Sequence, residues 1–507
     1  MALGDTGISP SYKVPRFIAK ILFGAGNVSA GSGRLKVLCV GMKGATGSLV
    51  ADGAPQRCTS EDQADALAEA GSQLAMMAYQ SLKVPSVELW MAAVTEPSGG
   101  TAATATIVIG GSWTTGGTLR FRIAGKSVVI NVAPGDTIDD VITDIASAFN
   151  AKTRLPTSAA ANTGTDTVTL TCKQKGTYGK DWILYYDATD TPTGMTVTLA
   201  GSANVNGSNV GVRLGASSSG TGSEDVTTLL TKLQTKTYDR IAVGHNDATN
   251  AALWEAHVNA KAGPLRLLLE QLVFAANGDL ATAQTHAQTT LNAFRAQVLW
   301  CRNSENHPCE IAARKAAIRS TTEQLTWVPD YDNLALDELA PQVFDADLPT
   351  DSELDQALNN GVTPLTTVNG VVRVVRSITS YCLNGAVQDE RCLDIGDAVM
   401  PDRGTVDLQL LWQDFRAQNP YVGPDPAEGE EPPPDGVAYP QLWAASVTER
   451  AMDWYAAKWL EQRPVGIWAP QYTFVLAGRY IAGDTPLAVR RVQHRVDNVI
   501  RQISNTA

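Results

Sequence analysis

The residues that could do chemistry fall in four places. "CRNSENHPC" (301–309) brings Cys301, His307 and Cys309 within nine residues, the side-chain types of a soft-metal site. A tetrahedral zinc site needs four ligands, and no second pair is spaced to supply them; the competing reading is loop thiols beside a surface histidine. Gly125-Lys126-Ser127 ends like a phosphate-binding loop, but that motif needs a glycine five residues before Gly125, where Arg120 stands. A turn between two strands accounts for it. "VGMKGATG" follows a strand and imitates a dinucleotide loop, with Gly41, Gly44 and Gly47 at the wrong spacing. Asp330-Tyr331-Asp332-Asn333 opens like a calcium loop yet lacks the glycine at loop position six and the glutamate at twelve. There is no Gly-x-Ser-x-Gly elbow, and the five histidines are scattered. No catalytic residue, metal ligand or cofactor-binding residue is therefore assigned, and a site assembled from distant loops stays open.

The elements around these residues have a clear texture. Residues 34–94 read strand ("RLKVLCVG"), one helix ("SEDQADALAEAGSQLAMMAYQSL", with Ser60 as N-cap) and strand ("SVELWMAAV"). The rhythm resumes over 223–320: "EDVTTLLTKLQ", "DRIAVGH", "NAALWEAHVNAKA", "LRLLLEQLVFA", "DLATAQTHAQTTLN", "AQVLWC" and "CEIAARKAAIRS" alternate helix and strand. Such alternation implies a largely parallel, helix-covered sheet. Between the two lies a Thr/Gly/Ser-rich stretch, 97–221, with six short strand patterns and one helix, "TIDDVITDIASAFNA". The expected fold is an α/β core with an inserted β-rich, sandwich- or barrel-like domain and extended N- and C-terminal arms. The domain reading is 1–30 arm, 31–96 first core part, 97–221 inserted domain, 222–422 second core part, 423–437 acidic Pro-rich loop, and 438–507 C-terminal helical region and arm. Gly/Ser-rich flanks would let the insertion stand apart.

Asn369-Gly370 between "LTTV" and "VVRVVRSI" predicts a hairpin, because both central turn positions need positive φ. Gly361, Asn369, Gly370 and Arg376 mark it. From Asp330 to Asp355 there are nine carboxylates and no Lys or Arg, and "GPDPAEGEEPPPDG" predicts an exposed extended loop. Pro440 opens a helix. The net charge of −12 over 507 residues argues against a dedicated nucleic-acid binder. The most apolar run, "GPLRLLLEQLVFAANG", is cut by Arg266 and Glu270, and no membrane insertion is expected. Seven scattered cysteines fit reduced thiols better than a disulfide framework.

Two terminal stretches read as binding surfaces. In "YKVPRFIAKILF", Tyr12, Val14, Phe17, Ile21 and Phe23 belong either to an edge strand of the chain's own sheet or to an arm that adds a strand to a neighbour. In "PLAVRRVQHRVDNVIRQISNTA", Arg490, Arg491, Arg495 and Arg501 lie off an apolar helical stripe. This basic helix, alternatively a strand, presents either a solvated face or a contact for an acidic partner.

The ordered set "RLKVLCVGMKGATGSLVADGAPQRCTSEDQADALAEAGSQLAMMAYQSL", "AGKSVVINVAPGDTIDDVITDIASAFNA", "YDRIAVGHNDATNAALWEAHVNAKAGPLR" and "ALNNGVTPLTTVNGVVRVVRSITSY" resembles the contractile phage tail sheath proteins of the Mu-like type. The resemblance runs over about residues 30–385. It implies a non-enzymatic subunit that polymerises with copies of itself as helical rings around a tail tube protein, flanked by baseplate and tail terminator proteins. Contraction drives the tube through a cell envelope, with assembly in the host bacterial cytoplasm and residence in the virion tail. It implies that the 361–381 hairpin is core scaffold, that the arms pair with neighbours, and that the basic C-terminal residues face the tube. The segment "TWVPDYDNLALDELAP" departs from the family's usual Asp-Pro-Ala-Arg-Pro stretch, and "QYTFVLAGRYIAG" is a second candidate for the arm connection. The other function classes are an α/β enzyme with a β accessory domain and a host-binding adhesive protein.

Overall fold

A computed structural model of the chain describes residues 34–342, 344–476, 480–486 and 488–490. Tyr12, Val14, Phe17, Ile21, Phe23, Arg491, Arg495 and Arg501 lie outside the described residues. The chain is a mixed α/β protein with several sheets.

The largest sheet has eight strands, in the order Val371–Val374, Val362–Val368, Ala296–Trp300, Gln271–Ala276, Arg240–Val243, Lys36–Met42, Glu88–Val94, Gln56–Cys58. The inner six are parallel and the two outermost antiparallel to their neighbours. Near-continuous apolar runs such as Val37 to Val40 and Val298 to Trp300 are wholly buried, as a parallel sheet covered by helices requires. The Pro308–Leu325 helix packs on both the Gln73–Leu82 helix and the Arg240–Val243 and Gln271–Ala276 strands.

Several readings of the chain need correcting. The helix expected over 60–82 is two helices, Glu61–Ala68 and Gln73–Leu82, each capped by a serine, Ser60 and Ser72. They separate because Glu69 and Gly71 take positive φ, and a Cβ on Gly71 would come within 2.1 Å of the Leu155 carbonyl. The strand expected over 265–275 is confined to Gln271–Ala276. A 24-residue helix, Ile395–Gln418, bears Pro401 and Gly404 in its first turns, which hid it from pattern reading.

Residues 102–213 form two antiparallel sheets. One has the order Met195–Ala200, Ala102–Gly111, Thr167–Lys175, Thr157–Asn162; the other Ala203–Val205, Gly211–Arg213, Ile183–Asp187, Gly117–Ile123, Lys126–Val132. Their alternating burial puts Ile107, Phe121, Val128 and Leu170 inside. The Ile138–Asn150 helix, started by a Thr137/Asp140 capping box, lays Val141, Ile142, Ile145 and Phe149 onto them.

The hairpin forms as its sequence dictates. Val362–Val368 and Val371–Val374 pair across Asn369 (φ 52°) and Gly370 (φ 75°). Gly361 is the more constrained glycine: at φ 74°, a Cβ there would sit 2.6 Å from the Ser380 carbonyl oxygen. Gly361→Ala should therefore cost about 2 kcal/mol or more. Gly370→Ala, with open space around it, should cost only about 1 kcal/mol. Urea midpoints of the two variants check the ranking, and equal losses would contradict it.

Candidate assembly surfaces

The crevice where a doubly wound sheet changes direction lies between Lys36–Met42 and Arg240–Val243, at their carboxyl ends, where such folds hold ligands. Here it is plugged. The Gln73 side chain accepts from the Met42 N–H at 2.7 Å and donates to the Gly244 carbonyl at 2.6 Å. Gly44 and Gly47 are small because the loop lies on Glu69 and on the Ala68 backbone, which a Cβ would approach to 2.4 and 2.8 Å respectively. The glycines are packing residues.

The thiol and histidine group has a structural explanation too, and the surface-histidine reading is overturned. His307 is 1 % exposed, and Cys301 and Cys309 are equally buried. His307 caps the Pro308–Leu325 helix: Nδ1 accepts from the Cys309 N–H at 3.1 Å, and Nε2 bonds the Tyr178 carbonyl at 2.9 Å. Both ring nitrogens are thereby used by the backbone. The ring lies 4.8 Å from both Tyr178 and Trp182, so burial holds its pKa below the ordinary value. Gly125-Lys126-Ser127 is a hairpin corner, with Ala124 (φ 55°) and Gly125 (φ 66°) joining the strands Gly117–Ile123 and Lys126–Val132. In the 330–333 stretch Tyr331 is buried, donating to Glu323 at 2.9 Å. Among the described residues, no three His, Cys, Asp or Glu side chains gather as a metal site, and no helix is long and apolar enough to cross a membrane.

Sequence reading missed a buried ionic network beneath the large sheet. Glu323 (0 % exposed) is paired with Arg240 and Arg319, and Arg319 also reaches Gln271. Burial would raise the Glu323 pKa, but the two guanidiniums outweigh it and hold it down at about 2. Lys315, one turn before Arg319, sits 3.8 Å from the Tyr331 ring centre. Lys315, Arg319 and Glu323 recur at four-residue spacing and look like a solvated stripe. The signal against that reading was polar Gln271 and Gln297 inside otherwise apolar strands.

The β-rich residues do not stand apart from the α/β residues. Thr101 and Thr221 pair in a bridge that closes the two flanks on each other. Arg213 donates to the Asn277 carbonyl (2.7 Å), to Asn277 Oδ1 (3.1 Å) and to Asn303 Oδ1 (3.1 Å). Arg122 pairs with the buried Glu305 at 2.9 Å, and Tyr185 donates to the Asn303 carbonyl at 2.9 Å. The flexible flanks lost because this seam is apolar as well as polar: one continuous hydrophobic core runs through both sets of sheets.

The outward edges decide where another chain can pair. On the hairpin edge the Leu336 N–H donates to the Val372 carbonyl and the Val374 N–H to the Leu334 carbonyl, so backbone of 334–336 covers it. Arg376 is drawn off to a two-pronged pair with Asp394 at 2.9 and 3.1 Å. The C-terminal hairpin, Gln471–Val475 with Tyr480–Asp484, is only half-buried. Among the described residues, seven of the twelve large exposed apolar side chains, Leu410, Tyr421, Met452, Val465, Ile467, Leu476 and Tyr480, lie beyond residue 400 in the sequence. Arg490 is exposed, and its N–H donates to the Trp459 carbonyl next to a Leu460–Val489 bridge, so at this point the backbone pairs as a strand and is not helical.

One pH effect follows from this interior. His286 packs edge-on against Phe274, and burial pushes its pKa down from 6.5 to about 4. Between those values the unfolded chain binds a proton that the folded chain does not, so stability is lost as pH falls from about 6.5 toward 4. A His286→Leu variant should lose about 2 kcal/mol less than the parent chain between pH 7 and pH 5. Parallel urea curves at the two pH values measure this; equal losses would count against it.

No family model matches the sequence. It is, however, 28% identical over 356 residues to the Mu-like prophage FluMu tail sheath protein of Haemophilus influenzae, covering 69% of this chain and 68% of the relative. The resemblance is to a tail sheath protein. Similar solved structures are the sheath tail protein of Listeria innocua, at 12% identity, 90% and 94% coverage of the two chains and TM-score 0.46, and the helical sheath of the anti-feeding prophage in its contracted state, at 9% identity, 98% and 99% coverage and TM-score 0.46.

Proposed function

We propose that the chain is the structural subunit of a contractile tail sheath, polymerising as helical rings around a tail tube and contracting to drive the tube through a cell envelope. The observation that carries this reading is the 28% identity maintained over 356 residues with a tail sheath protein. The plugged crevice and the structural use of His307, Gly44 and Gly47 accord with a chain that does no catalysis. Its partners on this reading are copies of itself, a tail tube protein, and baseplate and terminator proteins; its place is the virion tail, assembled in the host cytoplasm. Residues 1–30 act as an arm, 97–221 as an outward β-rich part, and 438–507 as the C-terminal helical region and arm. Tyr12, Val14, Phe17, Ile21 and Phe23 contribute a strand to a neighbour, and the half-buried 471–484 hairpin is where strand addition would need least rearrangement. Gly361, Asn369, Gly370 and Arg376 act as scaffold.

Negative-stain electron microscopy of the purified full chain, alone and with its tail tube protein, tests the proposal. Hollow cylinders with a helical repeat are expected; dispersed compact particles in every condition would refute it. For the tube-facing role of Arg490, Arg491, Arg495 and Arg501, reversing all four charges should weaken tube association and remove its salt dependence. Unchanged association in a co-sedimentation assay would discard that role.

A further inference from the structure

Between the Ala124–Gly125 corner, the Gln73–Leu82 helix and the start of the Pro308–Leu325 helix lies an open cleft of about 500 Å³, in the size range of small-molecule sites. Three side chains on its walls are unusual. Gln80 is 5 % exposed, its Nε2 donates to Glu310 at 3.4 Å, and its Oε1 has no hydrogen-bond partner. Glu310, 2 % exposed, accepts from the His307 N–H at 3.0 Å and from Asn306 at 3.2 Å, but forms no ion pair among the described residues. Lys126 donates to the Arg154 carbonyl at 3.3 Å and likewise forms no ion pair there. The other charges are already matched: Lys83 pairs with Glu338 at 3.2 Å, and Arg154 with Glu61, Asp62 and Asp65.

The cleft is thus lined by one ammonium and one carboxyl group that form no ion pair among the described residues, with the unpartnered Gln80 Oε1 buried beside the carboxyl group. We infer that this cleft binds a small zwitterion of the amino-acid class, its ammonium toward Glu310, which Gln80 holds in place, and its carboxylate toward Lys126. Burial depresses the Lys126 pKa and raises that of Glu310, and each group's charge opposes the other's shift, as expected of opposite charges that face one another without contact. Occupancy would also tie the β hairpin corner to the α/β helices. The inference does not depend on the sheath reading.

The experiment is calorimetric titration and thermal melting of the full chain with glycine, alanine, lysine or glutamate, and with acetate and methylammonium as half-ligands. At least one zwitterion should bind and raise the melting temperature at up to about 10 mM, with both half-ligands at least tenfold weaker. Lys126→Met should weaken that binding about tenfold or more, as losing one charged contact does. Gln80→Leu, close in volume, should weaken it while leaving the fold intact by circular dichroism. No response to any zwitterion, or a response that both variants retain, would overturn the inference.

Discussion

Glu323→Gln should destabilise the chain by about 3–5 kcal/mol, because it leaves two buried guanidiniums without their counter-charge. The carboxylate is fully buried and shared by Arg240, Arg319 and the Tyr331 hydroxyl. An amide of the same shape can accept from one of these but cannot neutralise either. The loss should appear as a lower urea midpoint with an unchanged slope, since the surface exposed on unfolding is the same. Below pH 7 the gap should persist until the carboxylate itself takes up a proton: its pKa is held near 2 against an ordinary 4.5, so its contribution is present above about 4.5 and lost as pH falls toward 2. A loss under about 1 kcal/mol would mean the network is solvated and the pairs are worth no more than surface ones.

The second large effect concerns assembly. Removing residues 1–23 should abolish polymerisation while leaving the remaining chain folded. The motivation is the partial alternation of Phe17, Ile21 and Phe23 against Arg16 and Lys20 together with the proposed sheath function. Each ladder hydrogen bond contributes only about 1 kcal/mol net, so a lattice held by such arms depends on several per subunit. Sedimentation velocity and electron microscopy on the truncated chain measure it. Cylinders of normal length from the truncated chain would end the arm hypothesis, whereas their absence from the full chain as well would instead indict the sheath reading.

Much of the fold was legible because its strands are either wholly apolar or strictly alternating. "KVLCVGM", "QVLW" and "TVTLTC" leave little choice of element, and Asn369-Gly370 leaves little choice of turn. What escaped were elements whose cause is tertiary. The break at Glu69–Ser72 exists because Leu155 lies against Gly71, a contact with a residue more than eighty positions away. The Thr157–Asn162 strand, "TSAAAN", has no apolar period and exists because Thr167–Lys175 offers it an edge. The ionic network escaped for a different reason: a charged stripe on a helix means solvent unless the facing strands supply matching charges. Arg240 does so, and nothing local to Pro308–Leu325 announces it. The expected freedom of the β-rich part failed on the same ground, since Gly- and Ser-rich flanks describe a linker's own flexibility and say nothing of what it joins.

The order of strands in the large sheet also sets a timetable. Lys36–Met42 leaves the ribosome well before one of its two neighbours, Arg240–Val243, which is encoded some two hundred residues later. At about 5–20 residues per second, that side of the strand stays unpaired for roughly 10–40 s. The antiparallel sheets of residues 102–213 are fully synthesised in the interval. A nascent chain that must keep a bare apolar edge from its siblings on the same message gains from having its polymer-forming contacts elsewhere, in segments that do not depend on that edge. Among the described residues, seven of the twelve large exposed apolar side chains lie beyond residue 400, and are made after every strand of the large sheet.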